Sequence, residues 1–569
     1  MYIYIHDKSF ASLSHGYMHA VLRALGLPSH ILNFVLSLYD NHCCHIASGG
    51  TMFQGFEIRA GIRQGCPLSP LLFALVVDII LRRMQRLCPT ITIRAFADDI
   101  AVVAPDLYRS VPTLMRIFAE AARVAGLGLN MPKCVLIPLW PIDLNILQLD
   151  FSRHFPGWGA FSVDDKGTYL GFVIGPGAED NSWTKPVQKF RKSAKMWGRT
   201  GVGMQYSTLA YTTYVLPILC FVGQLCDPPH EAFVAEAQAF RDLIPGPGNW
   251  CIQNDLWYMA DHFGQARNLP SLSHVCSASQ KRVQIWENRL QGGLRIVDRF
   301  YELRGSMSAT AHLDRIVQWE SWYQKGPIST LFRNSAKLDG CGLNSTVMLR
   351  NAGWEGIDPD NRAKGIRNVK SKFQSCARMS LARHYRPDKI GRIRAKLVRW
   401  KLPGIERHTA DRCSRLFPRL ATLVPPRVAH AVWRTVWNGW TSARRFQKLS
   451  HHCHLCCGGL VEEDSIEHYA RCRVTRDLCT GFVGLSPVHY TRWLGNFVVL
   501  GANHGKVDDT TVVKRAVVVY AIYRATNHLR HTPEGNADVI QDLVRQFARE
   551  AVRGHGPATR MLEAYVSPC

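Results

Sequence analysis

Long apolar runs are scarce in these 569 residues. The longest, Leu71 to Leu81, is interrupted by Asp78 and falls short of the ~20 apolar residues that span a bilayer, so no membrane segment is expected. A basic start followed by an apolar stretch and a small-residue cleavage site is lacking, which argues against export. Cysteines number 18 but are scattered, a usage that fits free thiols and metal ligands in a reducing compartment better than a disulfide framework. The expected location is therefore intracellular. No internal repeat is visible, and the C-terminal segment offers no carboxylate set suited to a nuclease. Acidic residues are the other shortage: 44 Asp and Glu face 69 Lys and Arg, for a net charge of +25.

That excess is concentrated. Residues 361–450 hold 23 Lys and Arg against only Asp388, Glu406 and Asp411, a net of +20, whereas 1–360 (33 against 29) and 451–569 (13 against 12) are near balance. Such a stretch predicts a surface for a phosphate backbone, with affinity that falls as salt rises; solvated helix faces are the alternative. Within it, Val432-Trp433, Val436-Trp437 and Trp440 recur at helical spacing. Core packing is the first reading of that stripe, and stacking of one Trp on an unpaired base the second. Arg444 and Arg445, just beyond, are the candidates for backbone phosphate contact.

The most chemical feature lies earlier. Phe96-Ala97-Asp98-Asp99 sits between Ile91 to Ala95 and Ile100 to Val103. Asp is depleted in strands and neighbouring carboxylates repel, so the pair makes sense when a divalent cation neutralises it, as in two-metal phosphoryl transfer. Upstream, Gly61-Ile62-Arg63-Gln64-Gly65-Cys66-Pro67-Leu68-Ser69-Pro70 precedes an apolar run. Ser69 as N-cap and Pro70 in the first turn predict a buried helix from about Pro70 to Met84.

Gly61 to Phe73, Phe96 to Asp99, Gly128-Leu129-Asn130-Met131-Pro132-Lys133 and Lys166-Gly167-Thr168-Tyr169-Leu170-Gly171 together resemble, in order and spacing, the reverse transcriptases of non-LTR (LINE-type) retrotransposons. The resemblance covers roughly residues 2–225 and ends in a thumb-like stretch around Tyr211 to Leu225. It implies that Asp98 binds both catalytic Mg²⁺ ions and Asp99 supports them. Arg63, Gln64, Gly65 and Pro67 would contact template and incoming nucleotide, beside Phe96. Lys133 would sit near the triphosphate, with an ordinary surface lysine as the alternative. Tyr169, Leu170 and Gly171 would grip the primer end, and Phe10 would screen the sugar 2′ position unless it is a core residue.

The first strand departs from that pattern. Aligning Lys8-Ser9-Phe10 onto the family's Lys-Ala-Phe puts Ile5 where the metal-binding Asp belongs, and Ala11 where the second Asp usually falls. Asp7 is the one local candidate to serve as metal ligand in its place: it shares the strand face of position 5 but is displaced by about 6.6 Å along the chain. Two-metal chemistry tolerates little of this, since ~1 Å can cost about 100-fold. With few residues before Ile5, the fingers and an upstream endonuclease are expected to be missing, as in a fragment or a decayed copy of a longer frame.

Further on, Cys453-His454-Leu455-Cys456 is followed by His468 and Cys472, a spacing that can close a tetrahedral zinc site. It resembles the zinc knuckle downstream of the polymerase in LINE-type proteins. Buried thiols are the alternative, and Cys457, His451 or His452 could substitute as ligands. Glu462, Glu463, Asp464 and Glu467 make the knuckle acidic, so it is expected to organise structure. Helices over Val512 to Thr526 and Asp538 to Val552 are expected to pack on it.

The expected architecture is an α/β (α+β) polymerase palm with a helical thumb, followed by a mainly α-helical region with a small zinc knuckle. Its divisions are 1–175 palm with fingers largely missing, 176–250 thumb-like helices, 251–360 helical connector, 361–450 basic nucleic-acid-binding helices, 451–475 CCHC knuckle and 476–569 C-terminal helices. Prolines and glycines at Pro228-Pro229 and Leu243 to Gly248 punctuate the connector. The function expected from the resemblance is RNA-directed DNA synthesis from an RNA template, a DNA primer and deoxynucleoside triphosphates, impaired by Ile5, in nucleus and cytoplasm. The alternative is a catalytically silent nucleic-acid-binding protein using the basic stretch and the knuckle. RNA-templated RNA synthesis is a third reading, disfavoured by the Tyr169-Leu170-Gly171 hairpin and the zinc tail.

Overall fold

Among the described residues every strand falls in the first third of the chain, and helices supply almost everything else. The computed structural model describes residues 2–4, 9–40, 43–139, 142–265, 267–290, 362–448, 452–455, 463–485, 493–533 and 536–562. It divides at Ser182 into two compact units.

The strands of the first unit are β1 (Tyr2–Tyr4), β2 (Cys43–Ser48), β3 (Thr51–Glu57), β4 (Thr92–Phe96), β5 (Asp99–Val103), β6 (Val135–Leu136), β7 (Ser162–Val163), β8 (Gly167–Tyr169) and β9 (Phe172–Ile174). Five form a sheet in the order β4-β5-β1-β6-β7, with β1 antiparallel to both neighbours and β6 parallel to β7; β2–β3 and β8–β9 are separate hairpins. The helices are α1 (Ser9–Ser12), α2 (His15–Ala24), α3 (Ser29–Tyr39), α4 (Ser69–Leu87), α5 (Leu107–Ala125) and α6 (Leu144–His154). Alternation in β5 turns Ile100 and Val102 inward. They join the stripe Leu72, Phe73, Val76, Ile80 and Met84 of α4 and Val111, Leu114 and Phe118 of α5 in one core. Asp106 caps α5 by accepting the Arg109 N–H at 3.1 Å.

Helix α4 starts one residue earlier than its sequence suggests and runs to Leu87. Ser69 is its first residue and not its cap. Its hydroxyl instead donates to the Arg63 carbonyl at 2.6 Å, closing the preceding loop.

The second unit is helical: α7 (Asn181–Arg199, entered at the boundary), α8 (Met204–Ala210), α9 (Pro217–Gly223), α10 (His230–Leu243), α11 (Gln253–Trp257), α12 (Met259–Phe263), α13 (Leu272–Leu290), α14 (Arg362–His384), α15 (Lys389–Leu397), α16 (Glu406–Leu423), α17 (Pro426–Val436), α18 (Ile466–Tyr469), α19 (Arg473–Asp477), α20 (Trp493–Val498), α21 (Asp509–His531), α22 (Ala537–Val552) and α23 (Gly556–Leu562). Trp433, Trp437 and Trp440 are buried, as the core reading of the stripe has it, although α17 ends at Val436 and Trp437 and Trp440 lie beyond the helix. The Phe263 ring stacks on Trp433 at 5.2 Å and meets Trp437 edge-on at 4.8 Å. Asp255, 2% exposed, is locked in this core. It accepts two bonds from the Arg392 guanidinium at 2.8 and 2.7 Å, the Trp437 indole N–H at 3.1 Å and the Ile252 N–H at 3.1 Å. The stretch Met204–Gly223 is long and apolar enough to cross a membrane, but half of it is buried inside this unit, the profile of a core helix. A π-helical turn at Tyr211–Val215 interrupts it, and the buried Tyr211 hydroxyl donates to Glu236 at 3.2 Å.

Removing one partner of a buried pair strands the other charge. Asp255→Ala is expected to destabilise the second unit by ~3–5 kcal/mol, against ~1 kcal/mol for Asp388→Ala, which deletes the exposed cap of α15. Urea unfolding of the two variants measures the difference.

Candidate functional site

The first site grows from one tight turn. Phe96 and Asp99 face each other as the last pair of β4 and β5, so Ala97 and Asp98 alone reverse the chain. Two-residue hairpins favour positive φ in the turn, and Ala97 adopts φ 51 without being glycine. Asp98 is therefore at the apex and Asp99 at the first position of β5, both half-buried. On its other edge β5 pairs with β1, Tyr4 opposite Asp99. Phe96 stands 67% exposed beside them. The first strand thus reaches the carboxylate pair in register. Ile5 and Asp7 lie outside the described residues.

A second hairpin closes on this corner. Tyr169 pairs with Phe172, and Leu170 and Gly171 turn the chain with φ 49 and 83, the type I′ geometry. Burial first, and then the negative charge of Asp99, push the Tyr169 hydroxyl above its usual range, with Arg94 opposing. Tyr169 is thereby within electrostatic reach of Asp99.

The loop ahead of α4 is pinned at its base and open at its tip. The Gly61 N–H donates to Leu13 at 2.7 Å and the Ile62 N–H to Phe10 at 2.6 Å. Gly61 has φ +90, and a Cβ there would lie 2.6 Å from the Ala11 carbonyl oxygen, so only glycine fits. Arg63, Gln64, Gly65 and Pro67 are all exposed. Phe10 is half-buried and stacks on Phe73 at 4.3 Å. Lys133 ends a 3₁₀ turn just before β6 and is exposed. Since β1 separates β6 from β5, it stands about 10 Å across the sheet from the carboxylate strand.

The second site is a thiol–imidazole cluster. The ligand atoms of Cys453, His468 and Cys472 lie within 4.8 Å of one another, with the two sulfurs 4.0 Å apart. Thiolates at 2.3 Å on one tetrahedral ion would be ~3.8 Å apart, so the donor set fits such an ion. The fourth expected ligand, Cys456, lies outside the described residues, as do Cys457 and His451. Ser465 caps α18 by accepting the His468 N–H at 3.1 Å, which fixes the imidazole-bearing turn. The Leu455 N–H donates to the Cys453 sulfur at 3.4 Å.

Asp464 organises the surroundings, a role its place in an acidic run conceals. It accepts from the Tyr469 hydroxyl at 2.7 Å and the Ala443 N–H at 2.8 Å, and it pairs with Arg530 at 3.3 Å and His454 at 3.5 Å. Burial opposes ionisation, but the bonds from His454, Tyr469 and Ala443, with Arg530 nearby, hold its carboxyl at about 2. Arg444 is drawn to the same cluster, pairing with Glu463 at 3.3 Å and Glu467 at 3.9 Å. Arg445 donates to the Gly248 carbonyl at 2.8 Å. Both expected phosphate contacts are thus engaged within the protein.

Residues 7–174 match the family described as reverse transcriptase (RNA-dependent DNA polymerase). The Pol polyprotein of the type-2 retrotransposable element R2DM of Drosophila melanogaster is 32% identical over 137 residues, 23% of this chain and 13% of that protein. R2 polyproteins of Popillia japonica (31% over 138 residues, 23% of each) and Nasonia vitripennis (32% over 149 residues, 25% of this chain and 14% of that protein) are similar to the same degree. The matched stretch spans less than a quarter of these relatives.

A carboxyl depressed in the folded state stabilises above its unfolded value and loses that contribution as pH falls through its folded one. In metal-free protein Asp464→Asn is expected to cost about 2 kcal/mol at pH 6. The gap should narrow as pH drops from 4 towards 2, the window between the ordinary value of 3.8 and the folded value of about 2. Urea midpoints of native and variant chains across that range test it.

Proposed function

Over residues 7–174 the chain carries a reverse transcriptase domain of the non-LTR retrotransposon kind, and from that premise we propose that its chemistry is RNA-templated DNA synthesis at Asp98 and Asp99. The observation that carries this reading is the two-residue turn that puts Asp98 at its apex and Asp99 opposite Tyr4 of β1, with Tyr169 in reach of Asp99. Asp98 and Asp99 would hold Mg²⁺, which supplies charge stabilisation for the attacking 3′-hydroxyl and the departing pyrophosphate. The exposed tip Arg63 to Pro67 would position template base and incoming deoxynucleoside triphosphate. Tyr169, Leu170 and Gly171 would steady the primer end, and Lys133 would neutralise phosphate charge from across the sheet. Phe10, stacked on Phe73, would set the wall beside the sugar. Cys453, Cys456, His468 and Cys472 would hold a structural Zn²⁺. A nuclear and cytoplasmic location would follow from access to RNA and chromosomal DNA.

Isoleucine at position 5 gives no metal ligand where the family has one, so low activity is part of the proposal. Primer extension on an RNA template with Mg²⁺ tests it. Ile5→Asp is expected to raise the rate by about 100-fold or more, and Asp98→Asn to abolish what the native chain has. If neither native chain nor Ile5→Asp extends a primer, the polymerase reading falls. Ile5 also favours a second reading, a silent nucleic-acid-binding protein. It requires RNA binding that weakens steeply with salt and survives Asp98→Asn.

For the thiol cluster, metal analysis of purified protein is expected to find stoichiometric zinc that Cys472→Ser removes. Zinc retained by that variant would point to a different ligand set.

A further inference from the structure

The second unit contains a cavity of about 830 Å³ that none of these roles uses. That volume falls within the ~300–1,000 Å³ range of ligand clefts. Five aromatic side chains line it, Phe233 and Tyr258 together with Trp257 at the end of α11, His274 on α13 and Tyr385 just beyond α14. The His274 and Tyr385 rings are stacked, 5.7 Å apart and 19° from parallel, and Trp257 lies 6.2 Å from His274. Burial lowers the His274 pKa, which favours the neutral imidazole. Tyr385 is 56% exposed. Asn254, Ser273 and Asp227 add hydrogen-bonding groups to the wall.

Charge identifies the occupant. Helix α14 carries seven Lys and Arg and no acid along its 23 residues, and it delivers the chain to Tyr385. Arg383 and Arg386, on either side of that tyrosine, are exposed. Arg386 also acts electrostatically on Tyr258 in the cavity wall. Stacked rings in a cleft flanked by cations are the combination by which single strands are held, bases on aromatic faces and phosphates on guanidinium groups. A duplex keeps its bases inside its own stack and offers nothing to such a cleft. The tryptophans of the basic stretch, buried in the core, leave this role open.

We propose that this cavity takes an unpaired nucleotide of a single nucleic-acid strand, its base on the His274–Tyr385 stack and its phosphates at Arg383 and Arg386. The site rests on the chain's acting on nucleic acid but not on catalysis at Asp98, so primer extension measured on the same samples separates the two.

The test is anisotropy of labelled oligouridylate, oligodeoxythymidylate and an RNA duplex with the full chain over a range of salt. Tyr385→Ala and Trp257→Ala are expected to weaken both oligonucleotides by about 5- to 150-fold, the effect of one stacked base, without changing the salt slope. Arg386→Gln should reduce that slope by about 0.7, one single-strand phosphate contact. Tyr385→Phe keeps the ring and should bind as the native chain does, which separates stacking from a folding defect, as does an unchanged unfolding midpoint for the exposed Tyr385 variants. Tighter binding of the ribo-oligonucleotide would identify RNA as the strand, equal binding a site indifferent to the 2′-hydroxyl. Native-like oligonucleotide affinity in Tyr385→Ala and Trp257→Ala, equal losses on duplex and single strand, or no oligonucleotide binding by the native chain would overturn the proposal.

Discussion

Strand β5 is held on both edges, by β4 through Phe96 and by β1 through Tyr4, and both pairings end at Asp99. Two adjacent carboxylates at such a point repel each other and lose solvent, and nothing in a hairpin's own energetics favours them. What holds them is the hydrophobic underside of the same strand, where Ile100 and Val102 are buried against α4 and α5. A shift of one residue would turn those side chains to solvent and move Asp99 to the opposite face. Register, core and site geometry in the first unit are one constraint, and the loop before α4 and the β8–β9 hairpin are arranged around it.

The second unit solves a different problem with similar means. Two of its buried carboxylates, Asp255 and Asp464, are each surrounded by donors from distant segments: Arg392 and Trp437 in one case, Ala443, Tyr469 and Arg530 in the other. Many of the surplus cations of the basic stretch serve internally. Arg392 belongs to Asp255, Arg444 to the acidic turn, and Arg412 and Arg419 to backbone carbonyls of residues 502, 503 and 507. Net charge alone overstates how much of that stretch is free to meet a phosphate.

Much of this was legible from local pattern. An Asp pair bounded by β-forming residues reads as a hairpin tip because only two residues need turn the chain, and a Trp stripe at helical spacing reads as core. Cys453, His468 and Cys472 could be grouped from spacing, and the structure draws them together. What escaped depends on partners far along the chain. The hydroxyl of Ser69 had two competing uses, its own helix end or the Arg63 carbonyl, and only the folded loop decides between them. Asp464 looked like one acid among several, since nothing local marks it as the one that meets Arg530. The aromatic cavity assembles residues from 227 to 385, beyond the reach of any periodicity.

The bond from the Ser69 hydroxyl to the Arg63 carbonyl also bears on timing. A loop that must be ordered at each encounter slows capture and loosens what it captures. Here its base is stitched to the first turn of a 19-residue helix and to the segment around Phe10, so the conformational cost is met once, when the domain folds. In the role proposed for it, the exposed tip from Arg63 to Pro67 would meet template and nucleotide from a base already fixed, and a mutation deep in helix α4 would be felt as a change in the rate of capture.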